Sequence, residues 1–424
     1  MRFKQNIIKD KRILLFICTI IVGNIIFWIA AALTDWQSTK TTFFRWDHWS
    51  FMDWFSEFMR FNTGNIYVGN DIANYPAFCF LILRVFYTFV PKPNERLEDV
   101  YSIRTMQQTM VPLAVFMVFM IFALYHIIRY EMHNNTKWER EGIAFSILVS
   151  APFLFVFERG NQIIIALLCT MLYVMLYDSD KRMLRIISYV CLSIAAAIKI
   201  YPAIFGILTI EKKRYKESIL LIFMGGITFL FPFIFFNGFE GVIAFINSIF
   251  NSFETYSDYG FGYDFSIYNL ERLIISLLFG YQTSASDISI IITIIALIVA
   301  FVVAQETWQR FAVLTLAFIF LPKFSYIYTV CFLIIPLIYM FKVKCRKIHF
   351  LYLAEFLLIY FPWLHFPIDR INFMRGGEEF SHTFSLGHVF VYIGLLGLLF
   401  TILSEGIYTK FLKKLQRKTL FKIK

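Results

Sequence analysis

The sequence predicts an all-α polytopic membrane protein, and two observations lead to that prediction. Hydrophobic residues make up 59% of the 424 positions and charged residues only 16%, whereas soluble domains carry about 25% charged residues. Apolar runs about as long as a bilayer crossing recur from one end of the chain to the other, and runs of that length span membranes as helices. We see no alternating segments of the kind that a transmembrane barrel requires.

The apolar runs predict the helices in order. The first run, from about Ile13 to Leu33, predicts an uncleaved signal anchor. The run 77–90 is short and is interrupted by Arg84, so it either crosses the membrane or lies along its surface. Further helices are predicted near 288–304, 309–321, 326–342, 349–363 and 387–407.

The basic residues predict the orientation of these helices. Lys and Arg cluster at the amino terminus, in the carboxy-terminal tail and in short segments such as DKRMLR from Asp180 and EKKRYKE from Glu211. Such clusters mark the cytoplasmic side of a membrane protein. The net charge of +11 is therefore interpreted as a topology signal rather than a nucleic-acid site. We expect a multi-pass plasma-membrane protein with both termini in the cytoplasm.

Two long polar segments interrupt what is predicted to be a single membrane domain, 1–424. If the run 77–90 lies on the surface, residues 34–108 form a first external loop with interfacial helices. Residues 237–287 form a second external loop, with six acidic residues against the single Arg272. Loops of this length are usually functional, so we expect the active site on the external face.

A cation next to a helix-breaking residue interrupts the apolar segment 186–210. Pro202 predicts the end of a helix close to Lys199. A cation and irregular backbone at membrane depth are tolerated where they line a cavity in the protein. We interpret Lys199 as a phosphate ligand; the alternative is that its side chain extends to the membrane surface.

Several catalytic signatures are absent from the sequence. It contains no Walker motif, HExxH, GxSxG or GxGxxG, so ATP-driven pumps and zinc proteases are not expected. The six cysteines show no metal-binding spacing. The one DxD, Asp178-Ser179-Asp180, lies in a basic segment and is interpreted as a solvated turn. We predict neither a metal site nor a cofactor.

Two acidic residues follow the first apolar run. Asp47 and Asp53 lie six positions apart among several tryptophans, and a helix would place the two carboxylates on different faces. Either could serve as a general base. The alternative is an amphipathic interfacial helix whose acids are solvated.

A series of short motifs follows these acids: GNIY (64–67), NYP (74–76), ERGN (158–161), KIYP (199–202) and SIYN (266–269). By their order and spacing they resemble the polyprenyl-phosphate-dependent glycosyltransferases of the GT-C superfamily, and most of all the mannosyltransferase-like, polysaccharide-assembling branch called family 87. That family has an Asp-containing first external loop, then Gly-x-x-Tyr, Tyr-Pro-Pro, Gly-Asn or Gly-Gln, and Lys-x-x-Pro. This sequence departs from the Tyr-Pro-Pro motif, because it has Tyr75-Pro76-Ala77, with alanine in place of the second proline.

The resemblance implies a GT-C-like bundle of about 10–12 transmembrane helices and an inverting transfer of a hexose. The donor would be a polyprenyl-phosphate sugar, and the acceptor a hydroxyl of an external glycan or glycolipid. The segment FMDWFSEF implies that Asp53 is the base, with Asp47 as the alternative. The candidate substrate-binding residues are Arg159, Asn161, Lys199, Tyr67, Tyr75, Tyr201, Ser266 and His365.

Two other functions fit parts of the pattern. A carrier or flippase for lipid-linked sugars would have symmetric halves with paired broken helices, whereas the sequence shows one such break. A polysaccharide polymerase would share the external loops but should depend on arginines in the later one, where only Arg272 occurs.

Overall fold

The computed structural model describes residues 9–36, 50–63, 66–68, 73–87, 107–259, 264–279, 287–363, 367–375 and 378–422. Within these ranges the secondary-structure elements are helices, with one two-stranded hairpin as the exception, and this confirms the predicted all-α class. The first ten helices are α1 (Lys11–Leu33), α2 (Met52–Thr63), α3 (Ala77–Tyr87), α4 (Gln107–Glu131), α5 (Lys137–Leu148), α6 (Ala151–Arg159), α7 (Ile163–Leu176), α8 (Arg182–Ile198), α9 (Ile207–Glu211) and α10 (Tyr215–Leu230).

The second half of the chain continues with longer helices and the hairpin. Its elements are α11 (Gly238–Tyr259), α12 (Ile267–Phe279), α13 (Asp287–Val303), α14 (Thr307–Phe320), α15 (Ile334–Lys342), α16 (Ile348–Tyr360), β1 (Pro367–Arg375), β2 (Glu378–Ser385) and α17 (Leu386–Lys422). Short 3-10 helices cover Tyr201–Gly206, Phe231–Phe235 and Ile327–Leu333. The helices predicted between 288 and 407 are confirmed. The antiparallel hairpin, which pairs Ile371 with His382, was not predicted.

The chain is a multi-pass membrane protein. Four described segments are long and apolar enough to cross a bilayer by length and composition: Lys11–Leu33, Thr109–Glu131, Tyr215–Phe235 and Leu386–Leu412. The pair α5 and α6, bent by 52°, would make a fifth. The other apolar helices have 10–17 residues, so fewer segments meet this test than the 10–12 crossings that were predicted.

The chain divides into two compact units. Unit I contains Met1–Ser38, Met132–Pro152 and Ser257–Lys424, and unit II contains Thr39–Glu131 and Phe153–Tyr256. In unit I, α1 packs on α5 and α16, while α17 packs on α13, α14 and α16. A Cβ at Gly394 would lie 2.7 Å from the carbonyl oxygen of Glu355, so glycine is what allows α16 and α17 to approach this closely.

A buried arginine fastens the start of α1 within unit I. The side chain of Arg12 is 1% exposed and forms an ion pair with Asp10 at 2.6 Å. Its guanidinium also donates to the backbone carbonyls of Met340 at 2.9 Å and Val343 at 2.8 Å. A fourth contact, 2.9 Å long, joins the guanidinium to Nδ1 of His349. The arginine thereby satisfies backbone carbonyls at the end of α15, which otherwise have no partner in their own helix.

Unit II is built around α8. The neighbours of this helix are α7, α10 and α3, while α2 packs on α3 and α4 packs on α7. Trp54 on α2 is fully buried and its ring packs against Phe58, Phe86 and Phe116, with centroids 4.8–5.5 Å apart. These aromatic contacts bury one face of α2 and thereby fix the direction in which its first turn points.

Candidate active site

The start of α2 is fastened to the end of α6. Phe51, with a φ of +60°, donates its backbone N–H to the carbonyl of Glu158 at 2.6 Å. Its own carbonyl accepts the N–H groups of Trp54 and Phe55, both at 3.1 Å. The first turn of α2, which carries Asp53, therefore lies beside the last turn of α6.

Glycine is required where α6 ends. Gly160 has a φ of +63°, a conformation common just after a helix and accessible to glycine without strain. A Cβ at this position would meet the Cβ of Trp54 at 3.0 Å and Leu113 at 3.4 Å. The glycine of ERGN thus turns the chain so that the residues on both sides of it, Arg159 and Asn161, reach α2.

Asp53 is held by those two residues. Arg159 Nη2 donates to Asp53 Oδ1 in a short ion pair, and Asn161 Nδ2 donates to Asp53 Oδ2 at 2.6 Å. The side chains of Asp53 and Arg159 are 14% and 12% exposed, and Asn161 is buried. Asn161 Oδ1 accepts the backbone N–H of Ile163 at 2.8 Å, so the amide of Asn161 is oriented by the start of α7.

Tyr75 connects this carboxylate to Lys199. Its hydroxyl accepts from Asn161 Nδ2 at 3.0 Å, and its ring lies 3.8 Å from Lys199 Nζ, a cation–π contact. Lys199 is also within electrostatic range of Asp53. The structure thus brings together five predicted residues from α2, the NYP turn, the α6–α7 junction and the end of α8. They are Asp53, Tyr75, Arg159, Asn161 and Lys199.

The predicted break in the helix at Lys199 is confirmed. α8 ends at Ile198, and the chain continues as the 3-10 helix Tyr201–Gly206, in which Pro202 occupies the first turn. The backbone of Lys199 is extended, with a φ of −139°. Lys199 is therefore the C-cap residue of α8 and does not lie on a face of the helix.

The remaining tyrosines of the predicted set lie close by. Tyr67 is buried, packs at 5.2 Å against Phe233 and donates its hydroxyl to the carbonyl of Tyr75 at 2.6 Å. It thereby supports the turn that carries Tyr75. Tyr201 opens the 3-10 helix two residues after Lys199. A role for either in substrate binding stays a prediction.

Sequence reasoning missed an acidic residue one turn beyond Asp53. Glu57 is 3% exposed and accepts from Arg60 Nη1 at 2.6 Å. Burial raises the pKa of Glu57, and the positive charge of Arg60 opposes that shift. The signal was in the sequence, because residues four apart lie on the same face of a helix and FMDWFSEF carries its two acids at that spacing.

Ser266 lies in unit I. Its hydroxyl donates to Asp264 Oδ2 at 2.9 Å and accepts the N–H of Asn269 at 3.2 Å, so it caps the start of α12. Burial raises the pKa of Asp264 to about 7, although hydrogen bonds from the N–H groups of Ser325 and Ser266 oppose the shift. The geometry gives Ser266 a helix-capping role, and a contact with substrate remains a prediction.

Other sequence predictions fall outside this site. Asp47 and His365 lie outside the described residues. Asp178, from the DxD, forms ion pairs with Lys212 and, at 3.2 Å, with Arg214. In the part of the chain that the structure describes, no group of three or more His, Cys, Asp or Glu side chains could hold a metal ion.

The arrangement around Asp53 has the chemistry of a proton-transfer site next to an anion site. A carboxylate oxygen has two lone pairs, so each oxygen of Asp53 can accept a hydroxyl while it keeps its present partner. Arg159 presents a planar fork of donors that suits phosphate, and Lys199 a point charge. Arg159 contacts Asp53 and Lys199 contacts the ring of Tyr75, and Asn161 is hydrogen-bonded to both Asp53 and Tyr75.

Comparison with known sequences identifies a family. Residues 102–325 match glycosyltransferase family 87, which is more than half of the 424-residue chain. Arg159, Asn161, Lys199 and Ser266 lie in the matched range, whereas Asp53 and Tyr75 precede it. Neither a curated protein nor a solved structure gave a match.

Proposed function

Because the chain belongs to glycosyltransferase family 87, and is therefore a membrane glycosyltransferase, we propose that it transfers a hexose from a polyprenyl-phosphate sugar to a hydroxyl of a glycan or glycolipid. The observation that carries the proposal is the contact of Asp53 with Arg159 and Asn161, beside Lys199. It puts a carboxylate and two cations in one place, the groups that can deprotonate a hydroxyl and stabilise a leaving phosphate.

Asp53 is the general base of the proposed reaction. It takes the proton of the acceptor hydroxyl while that oxygen attacks the anomeric carbon. The bond from the anomeric carbon to the phosphate oxygen breaks, and its electron pair leaves with the polyprenyl phosphate. A single displacement of this kind inverts the anomeric configuration. Arg159 and Asn161 hold the carboxylate in place, and such fixed geometry lowers the barrier.

Arg159 and Lys199 stabilise the leaving phosphate. Negative charge grows on the phosphate oxygens as the bond to the sugar breaks, and cations that are already in position stabilise it without reorganising. Lys199 lies against the ring of Tyr75, whose hydroxyl accepts from the Asn161 side chain that also binds Asp53. Tyr67 and Tyr201 complete the proposed substrate-binding set in unit II, and Ser266 and His365 are its proposed members in the rest of the chain.

We place the reaction on the external face of the plasma membrane. The basic clusters put both termini in the cytoplasm, and residues 34–108 and 237–287 are then the external loops. A polyprenyl chain remains in the lipid throughout, so a donor site at the membrane boundary needs no aqueous route for the sugar lipid. The acceptor is expected to be a cell-envelope polysaccharide or its lipid-linked precursor.

The proposal is tested by sugar transfer in reconstituted vesicles. The purified protein is incorporated into vesicles of phosphatidylethanolamine and phosphatidylglycerol with radiolabelled short-chain polyprenyl-phosphate mannose or glucose, and octyl mannoside serves as the probe acceptor. We expect labelled glycoside, or labelled free sugar when water is the acceptor, with one polyprenyl phosphate released per sugar. Vesicles prepared without the protein supply the background.

Two results would overturn the proposed donor. Transfer from nucleotide sugars, with none from either polyprenyl-phosphate sugar, would show that the donor class is wrong. Movement of the intact sugar lipid across the bilayer without any cleavage would favour the carrier function.

A second prediction concerns Lys199. Replacing it by Met keeps the length of the side chain and removes the charge, and we expect the KM for the polyprenyl-phosphate sugar to rise about 10- to 100-fold, the value of one charge-assisted contact. The measurement is the initial rate against donor concentration in the vesicle assay. Because the lysine also stabilises the charge that grows on the leaving phosphate, kcat should fall together with the rise in KM.

Lys212→Met is the matched control. Lys212 belongs to the same unit, directly follows α9 and pairs with the half-exposed Asp178. Equal kinetic effects of the two substitutions would contradict a specific phosphate contact of Lys199.

A further inference from the structure

One buried oxygen of Glu57 lacks a hydrogen-bond donor in the described part of the chain. Oε1 of Glu57 accepts from Arg60, whereas Oε2 has no hydrogen-bond partner among the residues that the structure describes. The side chain is only 3% exposed, so bulk water does not supply the missing donor. A buried acceptor that lacks a donor is costly, and native proteins retain few of them. Such an atom is therefore a candidate for contact with a bound molecule.

The position of Glu57 indicates that the bound molecule is the transferred sugar. On α2 it follows Asp53 by one turn on the same face, and it is within electrostatic range of both Asp53 and Lys199. In the proposed displacement the hexose lies between the hydroxyl that Asp53 activates and the phosphate that Lys199 holds. In the proposed displacement, Glu57 would therefore lie next to the transferred sugar.

We infer that Glu57 Oε2 accepts a hydrogen bond from a hydroxyl on the ring of the transferred hexose. Glu57 is then a specificity-determining residue of the donor site, and its ligand class is a pyranose with a hydroxyl at one particular position. Arg60 holds Oε1 and so prevents the carboxylate from rotating away from the sugar. The inference rests on the proposed function, because it takes the polyprenyl-phosphate hexose as donor.

The test is a double-mutant cycle in which one change is the substitution of Glu57 and the other is the removal of one hydroxyl from the donor. Rates are measured in the vesicle assay with polyprenyl-phosphate mannose and with its 2-, 3-, 4- and 6-deoxy forms, for the wild type and for Glu57→Gln. For one deoxy donor we expect kcat/KM of the wild type to fall about 10- to 100-fold, the effect of one hydrogen bond to a charged group. In Glu57→Gln that same donor should lose less than about 3-fold relative to mannose, because the contact is already weakened.

Glu217→Gln is the matched control, since Glu217 is also held by an arginine of unit II, Arg185, at 2.7 Å. Its loss for each deoxy donor should equal that of the wild type. If the Gln variant at position 57 does not fold, Glu57→Asp, which keeps the charge and withdraws the oxygen, replaces it in the cycle.

The outcomes separate this inference from the proposed function. Equal losses for every deoxy donor in the wild type and in the Glu57 variants would overturn the role of Glu57 while leaving the transferase function in place. No transfer by the wild type from any polyprenyl-phosphate sugar would overturn the function itself.

Discussion

Asp53→Asn is expected to lower the rate of sugar transfer by about 100-fold or more, which is the lower end of what a general base contributes. Asparagine has nearly the shape of aspartate, so α2 and the contacts that its Trp54 makes with Phe86 and Phe116 are retained. Its amide cannot take up the proton of the acceptor hydroxyl. Because Arg159 and Lys199 still bind the phosphate, the affinity for the donor should change little. The measurement is single-turnover transfer in vesicles, together with donor binding by the same preparations.

Two further substitutions make this result specific. Asp178→Asn removes a carboxylate of the same unit that pairs with Lys212 and Arg214, and it should retain full activity. Asp47→Asn tests the alternative base named from the sequence. Full activity of Asp53→Asn with loss of activity in Asp47→Asn would transfer the base role to Asp47, and full activity of both would exclude a carboxylate mechanism at this loop.

Arg12→Met is expected to have the largest effect on stability, lowering the free energy of unfolding by about 3–5 kcal/mol, the cost of breaking a buried ion pair. The substitution leaves the Asp10 carboxylate without its cation and removes donors from the carbonyls of Met340 and Val343. The measurement is the midpoint of thermal unfolding in detergent micelles, with the wild type as reference.

The control for this prediction is the preceding residue. Lys11 is exposed on the same helix, so Lys11→Met removes the same charge without disturbing a buried contact, and exposed charges contribute little to stability. Equal shifts in the unfolding midpoint for the two variants would mean that the loss of amino-terminal charge, and not the buried network of Arg12, controls stability.

The helices could be predicted because their signals are local. An apolar run of bilayer length forms a helix wherever it occurs, since its backbone groups must be paired within the segment. This is why α1, α13, α14 and α16 were predicted close to their observed bounds. The predicted helix 326–342 instead begins as the 3-10 helix Ile327–Leu333, and α17 continues to Lys422, past the predicted end at 407. The hairpin β1–β2 was missed, because its pairing depends on contacts between two polar segments that show no alternation of apolar residues.

The candidate site was predicted in part. Arg159, Asn161, Lys199 and Asp53 were named from short motifs, but no motif states that Arg159 pairs with a carboxylate 106 residues away. Glu57 was passed over because an acid beside an aromatic residue in an amphipathic helix is usually solvated. Glu57 is buried because of how α2 packs in the fold, and the sequence does not show that packing.

The sequence by itself determined that this is a helical membrane protein and which residues are candidates for its chemistry, because hydrophobic length, charge and motif order are properties of the chain. The tertiary structure alone decided that α2, the NYP turn, the α6–α7 junction and the end of α8 converge on one carboxylate. That convergence depends on long-range packing: the ring of Trp54 fixes the face of α2, and the positive φ of Gly160 turns Arg159 and Asn161 toward it.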